Sequence, residues 1–466
     1  MGVLLPDRPF TSLDEYVAAG GGRGLAAARD RGRNWVLDEL DRAGVRGRGG
    51  AGFPTARKWR SVLDGGPALG DRYTVANGAE GEPGTFKDRP LLRANPYQVV
   101  EGLAIAASVI GAREAFLAVK ASFTREIDAV RRALREMEDA ALLPAIPITL
   151  VAGPEEYLFG EEKALLEVIE GNDPMPRWLP PYLHGLFATT PQEGWAGGAV
   201  PDLDDPNVTG SNPTLVNNVE TLANVPLVLA RGAGWFRGMG TAGTPGPLLC
   251  TVAGDVEHAG FAEIEPGMTL RAVIDHVGGG PRAGRAVKAV LSGVSNAVLD
   301  ATELDTPVSY EGFAAAGSGL GAAGFIVYDD TRSMVSVARM VSRFLYVESC
   351  GQCRACKLGC GEITRRLDAV AGGAGTDRDI ELIGQQLLDV TSQNRCFLGT
   401  EEQTVIGSLL RKFPDDFAAA LELRSPVDTL AIPKIVDIRD GVAELDRAQA
   451  RKQPDWTYVA ERHAAT

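Results

Sequence analysis

Four cysteines crowd into Cys350-Gly-Gln-Cys353-Arg-Ala-Cys356-Lys-Leu-Gly-Cys360, and a fifth, Cys396, stands alone further on. Thiols at three-residue intervals converge on one metal centre, and a [4Fe–4S] cluster takes four thiolates. Cys350, Cys353 and Cys356 supply three. The fourth has two candidates. Cys360 completes the C-x2-C-x2-C-x3-C run of bacterial ferredoxins. In that run a proline follows and the last thiolate serves a second cluster. Here Gly361 follows and no second run exists. Cys396 can instead return from a distant helix end and close the site, and the reading favours it. An all-cysteine zinc site is the rival, although two CxxC knuckles would then be expected. Inert buried thiols are the third possibility.

The rest of the composition sets bounds. At 466 residues the chain has room for about three domains. Charged residues make up 23% and hydrophobic ones 45%, which fits a globular protein. A net charge of −14 argues against nucleic acid as a partner. The start, Met1 to Arg8, lacks the basic and apolar regions of a signal peptide. The longest uncharged apolar stretch, Gly102 to Ala112, is too short to span a bilayer. Bunched cysteines suit a reducing, cytoplasmic compartment rather than a disulfide framework. Cys250, in an apolar run, reads as core.

Along the chain, residues 1 to 45 read as helical. Gly47, Gly49 and Gly52 then match G-x-G-x-x-G, but a helix precedes them, so the ordinary dinucleotide fingerprint is rejected. Consecutive glycines still let backbone N–H groups approach a phosphate, with Arg46, Arg48 and Lys58 adding charge. A strand at Tyr73 to Ala76 runs into the acidic turn carrying Glu80 and Glu82; taken alone, such a turn is more often solvated than a site. Helices over 99–111 and 124–140 alternate with strands over 115–119 and 146–151, the pattern of an α/β domain. Glu161 and Glu162 open an apolar helix, where acids favour the helix dipole. Residues 174–211 form a long Pro-, Gly- and Asp-rich loop. Asn217 and Asn218 precede another helix and can cap it or donate to a ligand ring. Residues 245–330 read as a smaller α+β unit with strands over 248–252, 287–291 and 325–328. Four amphipathic helices follow, the last opened by a capping box at Thr400 to Gln403.

Five segments together resemble the NADH-binding flavoprotein subunit of respiratory complex I and the related diaphorase subunits of NAD-linked hydrogenases and formate dehydrogenases. They are Arg46 to Thr55, Glu82 to Arg89, Gly160 to Glu162, Val216 to Pro226 and Glu348 to Cys353. The resemblance implies an α/β fold in parts. Residues 1–240 would be an FMN- and dinucleotide-binding α/β domain, and 241–330 a soluble-ligand-binding β-grasp (ubiquitin-like) domain. Residues 331–425 would be a four-helix bundle carrying the cluster, and 426–466 a C-terminal tail. Gly47, Arg48, Gly49, Gly50, Gly52, Phe53 and Lys58 would hold FMN, with Asn77, Glu80, Gly160, Asn217, Asn218 and Thr221. Glu82, Tyr157, Glu161 and Glu162 would line the nicotinamide side. Cys350, Cys353, Cys356 and Cys396 would bind the [4Fe–4S] cluster, with Phe397 and Leu398 between it and the flavin. The activity implied is that of an NADH dehydrogenase (diaphorase) subunit: hydride from NADH to FMN, then single electrons through the cluster. The partners implied are a thioredoxin-like [2Fe–2S] subunit and a larger iron–sulfur subunit of a multisubunit oxidoreductase, with no direct membrane span and any membrane association made through those partners.

Several positions depart from the family pattern. Ala79 stands where the family has Asp at the flavin. Ser61 replaces an adenine-stacking aromatic, Leu179 a lysine, and Lys163 a threonine; Lys163 is expected beside Glu162. These changes favour keeping other donors or acceptors in view: NADPH, a deazaflavin or ferredoxin, or a non-catalytic module. Trp178, Tyr182, Phe187 and Trp195 of the long loop are expected to replace the missing stack.

Overall fold

The structure, a computed structural model, describes residues 2–64, 70–189 and 210–459. Trp195, one of the expected stacking residues, lies outside them.

Helix at the start of the chain is less continuous than its pattern suggests. α1 (Leu13–Ala18) is capped by Ser12, and α2 (Arg23–Ala43) is broken at Gly32, whose φ of +78° only glycine adopts freely. α3 (Thr55–Asp64) follows the glycine loop.

Four parallel strands then make the first sheet, in the order β3-β2-β1-β4. They are β1 (Tyr73–Asn77), β2 (Glu114–Lys120), β3 (Ile148–Gly153) and β4 (Thr214–Asn218). The central strands are apolar on both faces, as buried parallel strands require. α5 (Pro96–Ile110), almost wholly buried, packs on one face with α2 and α8 (Val219–Arg231). α4 (Asp88–Ala94) and α6 (Thr124–Asp139) flank them, and α7 (Glu162–Ile169) covers the other face. β4 was not expected. Five residues ending in two asparagines carry no strand signal of their own, and only pairing with β1 makes them a strand. That register sets Ala76 opposite Asn217 and Asn77 opposite Asn218.

After α9 (Ala233–Arg237) a second, mixed sheet forms from β5 (Leu248–Gly254), β6 (Gly260–Ile264), β7 (Val287–Ser292), β8 (Leu299–Asp300) and β9 (Gly324–Asp329). Its order is β6-β5-β9-β7-β8, with β5 and β9 parallel and the other pairs antiparallel. α10 (Leu270–Gly278) and α11 (Tyr310–Ala315) accompany it. Cys250, on β5, is fully buried, and burial pushes its thiol well up.

The helical end has five helices rather than four: α12 (Met334–Glu348), α13 (Arg354–Ala371), α14 (Asp377–Asp389), α15 (Leu398–Lys412) and α16 (Pro414–Leu423). Pro414 opens the fifth at its first turn, where a missing N–H costs nothing. The capping box expected at Thr400 is absent, because α15 has already begun at Leu398. Such a box instead starts α14, between Thr376 and Asp379.

The residues after α16 fold back. β10 (Ile435–Arg439) and β11 (Val442–Leu445) form a hairpin whose buried Asp437 pairs with Arg93 and Arg125 on α4 and α6. Further on, Lys452 is fully buried and meets Glu348 of α12 at 2.9 Å. Among the described residues no helix is long and apolar enough to cross a membrane.

Candidate functional site

The glycine loop is closed by its own backbone. Arg46 and Pro54 form a bridge, and the Gly47 N–H donates to the Phe53 carbonyl at 2.8 Å. Arg48 is buried and anchors the loop downward. Its N–H donates to Thr221 Oγ1 at 2.8 Å, and its Nη2 to the carbonyls of Pro245 and Pro247. Gly50 has φ +130° and nothing within 4 Å of where a Cβ would stand. Gly49 lies against Asn218, whose Cβ would stand 3.0 Å from any Cβ added at Gly49. Gly52, at φ +60°, lies under the Tyr310 ring. The result is a cradle open at Gly50 and held on the other sides. Phe53 is exposed.

The carboxyl ends of β1 and β4 face this loop, the position where open α/β sheets bind ligands. Asn217 Oδ1 accepts from Trp59 Nε1 at 2.8 Å. Asn218 caps α8 by accepting from the Glu220 N–H, and its Nδ2 donates to Asp88 at 2.7 Å. Beneath them Lys87 is buried between Asp88 and Glu220, at 2.6 and 2.8 Å. Those two carboxylates hold its ammonium charged despite burial. Asn77 Nδ2 donates to the Gly160 carbonyl at 2.8 Å. The Glu80 carboxylate accepts from the N–H groups of Lys87 and Asp88 at the start of α4. The polar turn read from sequence is therefore, at Glu80, a helix cap.

Glu82, Tyr157, Glu161 and Glu162 do come together around one short segment. Tyr157 Oη donates to Glu82 at 2.5 Å, and Glu82 also accepts from the Val294 N–H at 2.7 Å. Burial pushes the Glu82 carboxyl up. Glu161 caps α7, accepting from the N–H groups of Lys163 and Ala164, and burial raises it to about 7. Glu162 pairs with Lys58 at 2.6 Å, so the loop lysine meets an acid of this segment. The Lys163 ammonium turns away from its neighbour Glu162 to other partners. It reaches across to the Arg395 carbonyl and lies 4.0 Å from Glu161.

That reach leads to the cysteines. The Arg395 N–H donates toward Cys353 Sγ at 3.3 Å, which brings the residue before Cys396 against the cysteine run. Ser349 Oγ lies 3.4 Å from Cys356 Sγ. Cys360 is fully buried one helical turn beyond Cys356. Leu398 is buried at the head of α15, while Phe397 is exposed. Among the described residues no three His, Cys, Asp or Glu side chains are placed to hold a single metal ion.

Of the loop aromatics, Phe187 packs edge-on against Tyr73, 5.4 Å between centroids. Tyr73 begins β1 and Asn77 ends it, about 13 Å apart at strand rise. Phe187 is thus at the wrong end of the sheet to replace the stack. Trp178 stands under the Arg395 guanidinium, near the cysteines, and Tyr182 is exposed. Leu179 is buried, and Ser61 Oγ donates back to the Lys58 carbonyl.

Two contributors carry no linear signal. Tyr310 reaches from the second sheet region, its hydroxyl donating to the Gly47 carbonyl at 2.5 Å and its ring under the Arg46 guanidinium. Glu401 of α15 approaches Tyr157 Oη at 3.2 Å.

A glycine cradle at the carboxyl edge of a parallel sheet, joined through one segment to a set of thiols, defines a redox protein with a phosphate-bearing cofactor and a thiolate-held centre. Comparison with known proteins agrees. Residues 40–227 match the Nuo51 FMN-binding domain, and residues 336–420 the NADH-ubiquinone oxidoreductase-F iron–sulfur binding region. The second F subunit of NADH-quinone oxidoreductase in Rhizobium meliloti (strain 1021) is 34% identical over 424 residues, covering 88% of this chain and 95% of the relative. The HndC subunit of the NADP-reducing hydrogenase of Solidesulfovibrio fructosivorans is also 34% identical, covering 88% and 81%. A crystal structure of NAD+-reducing [NiFe]-hydrogenase in the H2-reduced state superposes with a TM-score of 0.74 at 30% identity, over 89% of this chain and 67% of that one. The chain belongs to the family of the F subunits of NADH-quinone oxidoreductase, with its FMN-binding and [4Fe–4S]-binding regions both present.

Proposed function

We infer that this chain is the electron-input subunit of a multisubunit oxidoreductase, taking hydride from NADH onto FMN and passing single electrons through a [4Fe–4S] cluster to partner subunits. The observation that carries it is the segment from Tyr157 to Glu162. It touches the flavin-side asparagine through Gly160 and Asn77, and the lead-in to the cysteine run through the Tyr157 N–H and Glu348, at 3.0 Å. Bound FMN would supply the conversion between a two-electron hydride and one-electron transfers, which a cluster alone does not perform.

The chain's residues have roles consistent with this. The open cradle at Gly50 accepts a phosphate without a side chain in the way, Arg46 and Lys58 bring positive charge to its edge, and buried Arg48 holds the loop from below. Asn77, Asn217 and Asn218 line the strand ends facing it, and Thr221 of α8 holds the Arg48 N–H beneath. Glu82, Glu161 and Glu162 would line the dinucleotide side, orienting the nicotinamide. Cys350, Cys353, Cys356 and Cys396 form an all-thiolate donor set suited to iron–sulfur chemistry, and the Arg395 N–H toward Cys353 is the kind of bond that tunes such a centre. Leu398 keeps water from the space between.

We further propose the domain division 1–240, 241–330, 331–425 and 426–466, the second part being of β-grasp type. The mixed sheet around parallel β5 and β9 supports that assignment. The proposed partners are a thioredoxin-like [2Fe–2S] subunit and a larger iron–sulfur subunit, and the site of action is the cytoplasmic side, with membrane attachment only through them. Stopped-flow bleaching of the flavin by NADH, NADPH and a reduced deazaflavin tests the donor. NADH is expected to bleach it. A flavin that dithionite reduces but millimolar NADH does not would overturn NADH as donor.

A further inference from the structure

Tyr157 Oη lies between two carboxylates, 2.5 Å from Glu82 and 3.2 and 3.3 Å from the two oxygens of Glu401. A phenol has one proton to donate. Glu82 takes it at the shorter distance, and also accepts from the Val294 N–H and from Ser295 Oγ. Glu401 is buried in the first turn of α15, and Tyr157 is its side-chain hydrogen-bonding partner. Two ionised carboxylates on one phenol would leave Glu401 a buried, uncompensated charge, which costs several kcal/mol by order of magnitude. Proton counting offers two arrangements in which every contact is a hydrogen bond, with the extra proton on Glu401 or on Glu82. Because Glu82 also accepts from the Val294 N–H and Ser295 Oγ, it is the better place for the charge and Glu401 for the proton. Glu401 then donates to Tyr157 Oη, and Tyr157 donates to Glu82.

We propose that Glu401 holds a proton at neutral pH and, through Tyr157, fixes Glu82 as an ionised acceptor on the dinucleotide side, making Glu401 a positioning residue. The positioning half rests on the reading of Glu82 given under the proposed function; the proton on Glu401 does not. The surroundings support the assignment. Tyr157, Glu82 and, at longer range, Glu161 and Cys356 face Glu401, all of them neutral or negative. Burial and the Glu82 charge both push the Glu401 carboxyl well above the ordinary range. The relay also crosses a boundary. Glu401 belongs to the helix that follows Cys396, Tyr157 to the segment before α7, and Glu82 to the turn after β1. A proton on Glu401 thus ties the cysteine end to the flavin end.

The test is infrared spectroscopy of the full chain at neutral pH, wild type minus Glu401→Gln. Glu161 and Glu402, raised to about 7 and about 8, give protonated-carboxyl bands of their own, which the subtraction removes. The expected result is loss of one protonated-carboxyl C=O band in the variant. No band lost means that Glu401 is ionised, and the proposal falls. Tyr157→Phe keeps the reading available if Glu401→Gln folds poorly. The band should then shift, because the carboxyl loses its acceptor; an unmoved band overturns the relay. For the positioning half, the apparent NADH Kd of Glu401→Leu, which has no donor for Tyr157, should exceed that of Glu401→Gln, which keeps one. Equal values overturn positioning. If the band is lost but NADH fails to reduce even wild-type flavin, the proton assignment stands and the positioning role falls with the function.

Discussion

The cysteine end takes three of its four proposed ligands from seven consecutive residues, Cys350 to Cys356, whereas the glycine end is held by groups as far apart as Gly47 and Tyr310, 263 positions. The first site depends on what the side chains are. The second depends on where backbone N–H groups and strand ends come to rest, with side chains mainly steering them. A thiolate centre therefore tolerates change around its ligands but not in them. A backbone cradle tolerates changes of side chain but not of shape.

The largest effect should come from breaking the ligand set. Cys396→Ser is expected to lose the cluster, and Cys360→Ser to keep iron near four per chain, by iron assay on anaerobically purified protein. The reverse pattern would move the fourth ligand to Cys360 and make the site more local still. Next comes a change of shape alone. In Gly52→Val a Cβ would sit 2.5 Å from the Tyr310 ring at φ +60°. Overpacking and positive φ each cost about 1–3 kcal/mol. The variant should lose FMN yet retain the cluster, as absorbance spectra would show; retained stoichiometric flavin would place the cofactor elsewhere.

A smaller effect concerns the segment between the two ends. Glu161 is raised by burial to about 7, so between about pH 4.5 and 7 the native state holds a proton that the unfolded chain has lost. Its contribution to stability is full below about 4.5 and disappears as pH rises through about 7. The change is at most about 3 kcal/mol. Denaturant midpoints at pH 5 and pH 7 should fall further for wild type than for Glu161→Gln, and equal falls would show that the joint is not strained by charge. The smallest effect separates sheet packing from dinucleotide binding. Phe187→Ala should cost about 1 kcal/mol through its ring contact with Tyr73 and leave NADH affinity unchanged. Weakened affinity would bring the long loop back to the site.

How much could be read beforehand follows the same division. The cysteines, the Asn218 cap and the alternation of strands and helices were legible, since each is a local property of residue type and spacing. That Glu80 caps the start of α4 was not legible, because an acid beside glycines has the same sequence signature whether it faces a cofactor or caps a helix. The partner of Lys163 was not legible for a related reason: a long flexible side chain chooses its partner from whatever lies across the interface, here the Arg395 carbonyl. β4 was missed because a five-residue strand is defined by its neighbour.

By itself the sequence determined the candidate thiolates, the run of glycines in the loop, and the periodicities that make an α/β unit followed by helices. These rest on chemistry carried by single residues and their near neighbours. The tertiary structure alone decided that Tyr310 closes the glycine loop, that the hairpin after α16 latches Asp437 to α4 and α6, and that Glu401 meets Tyr157 and Glu82. Those contacts join residues tens to hundreds of positions apart, and only burial in a shared low-dielectric space makes their protons and charges depend on one another.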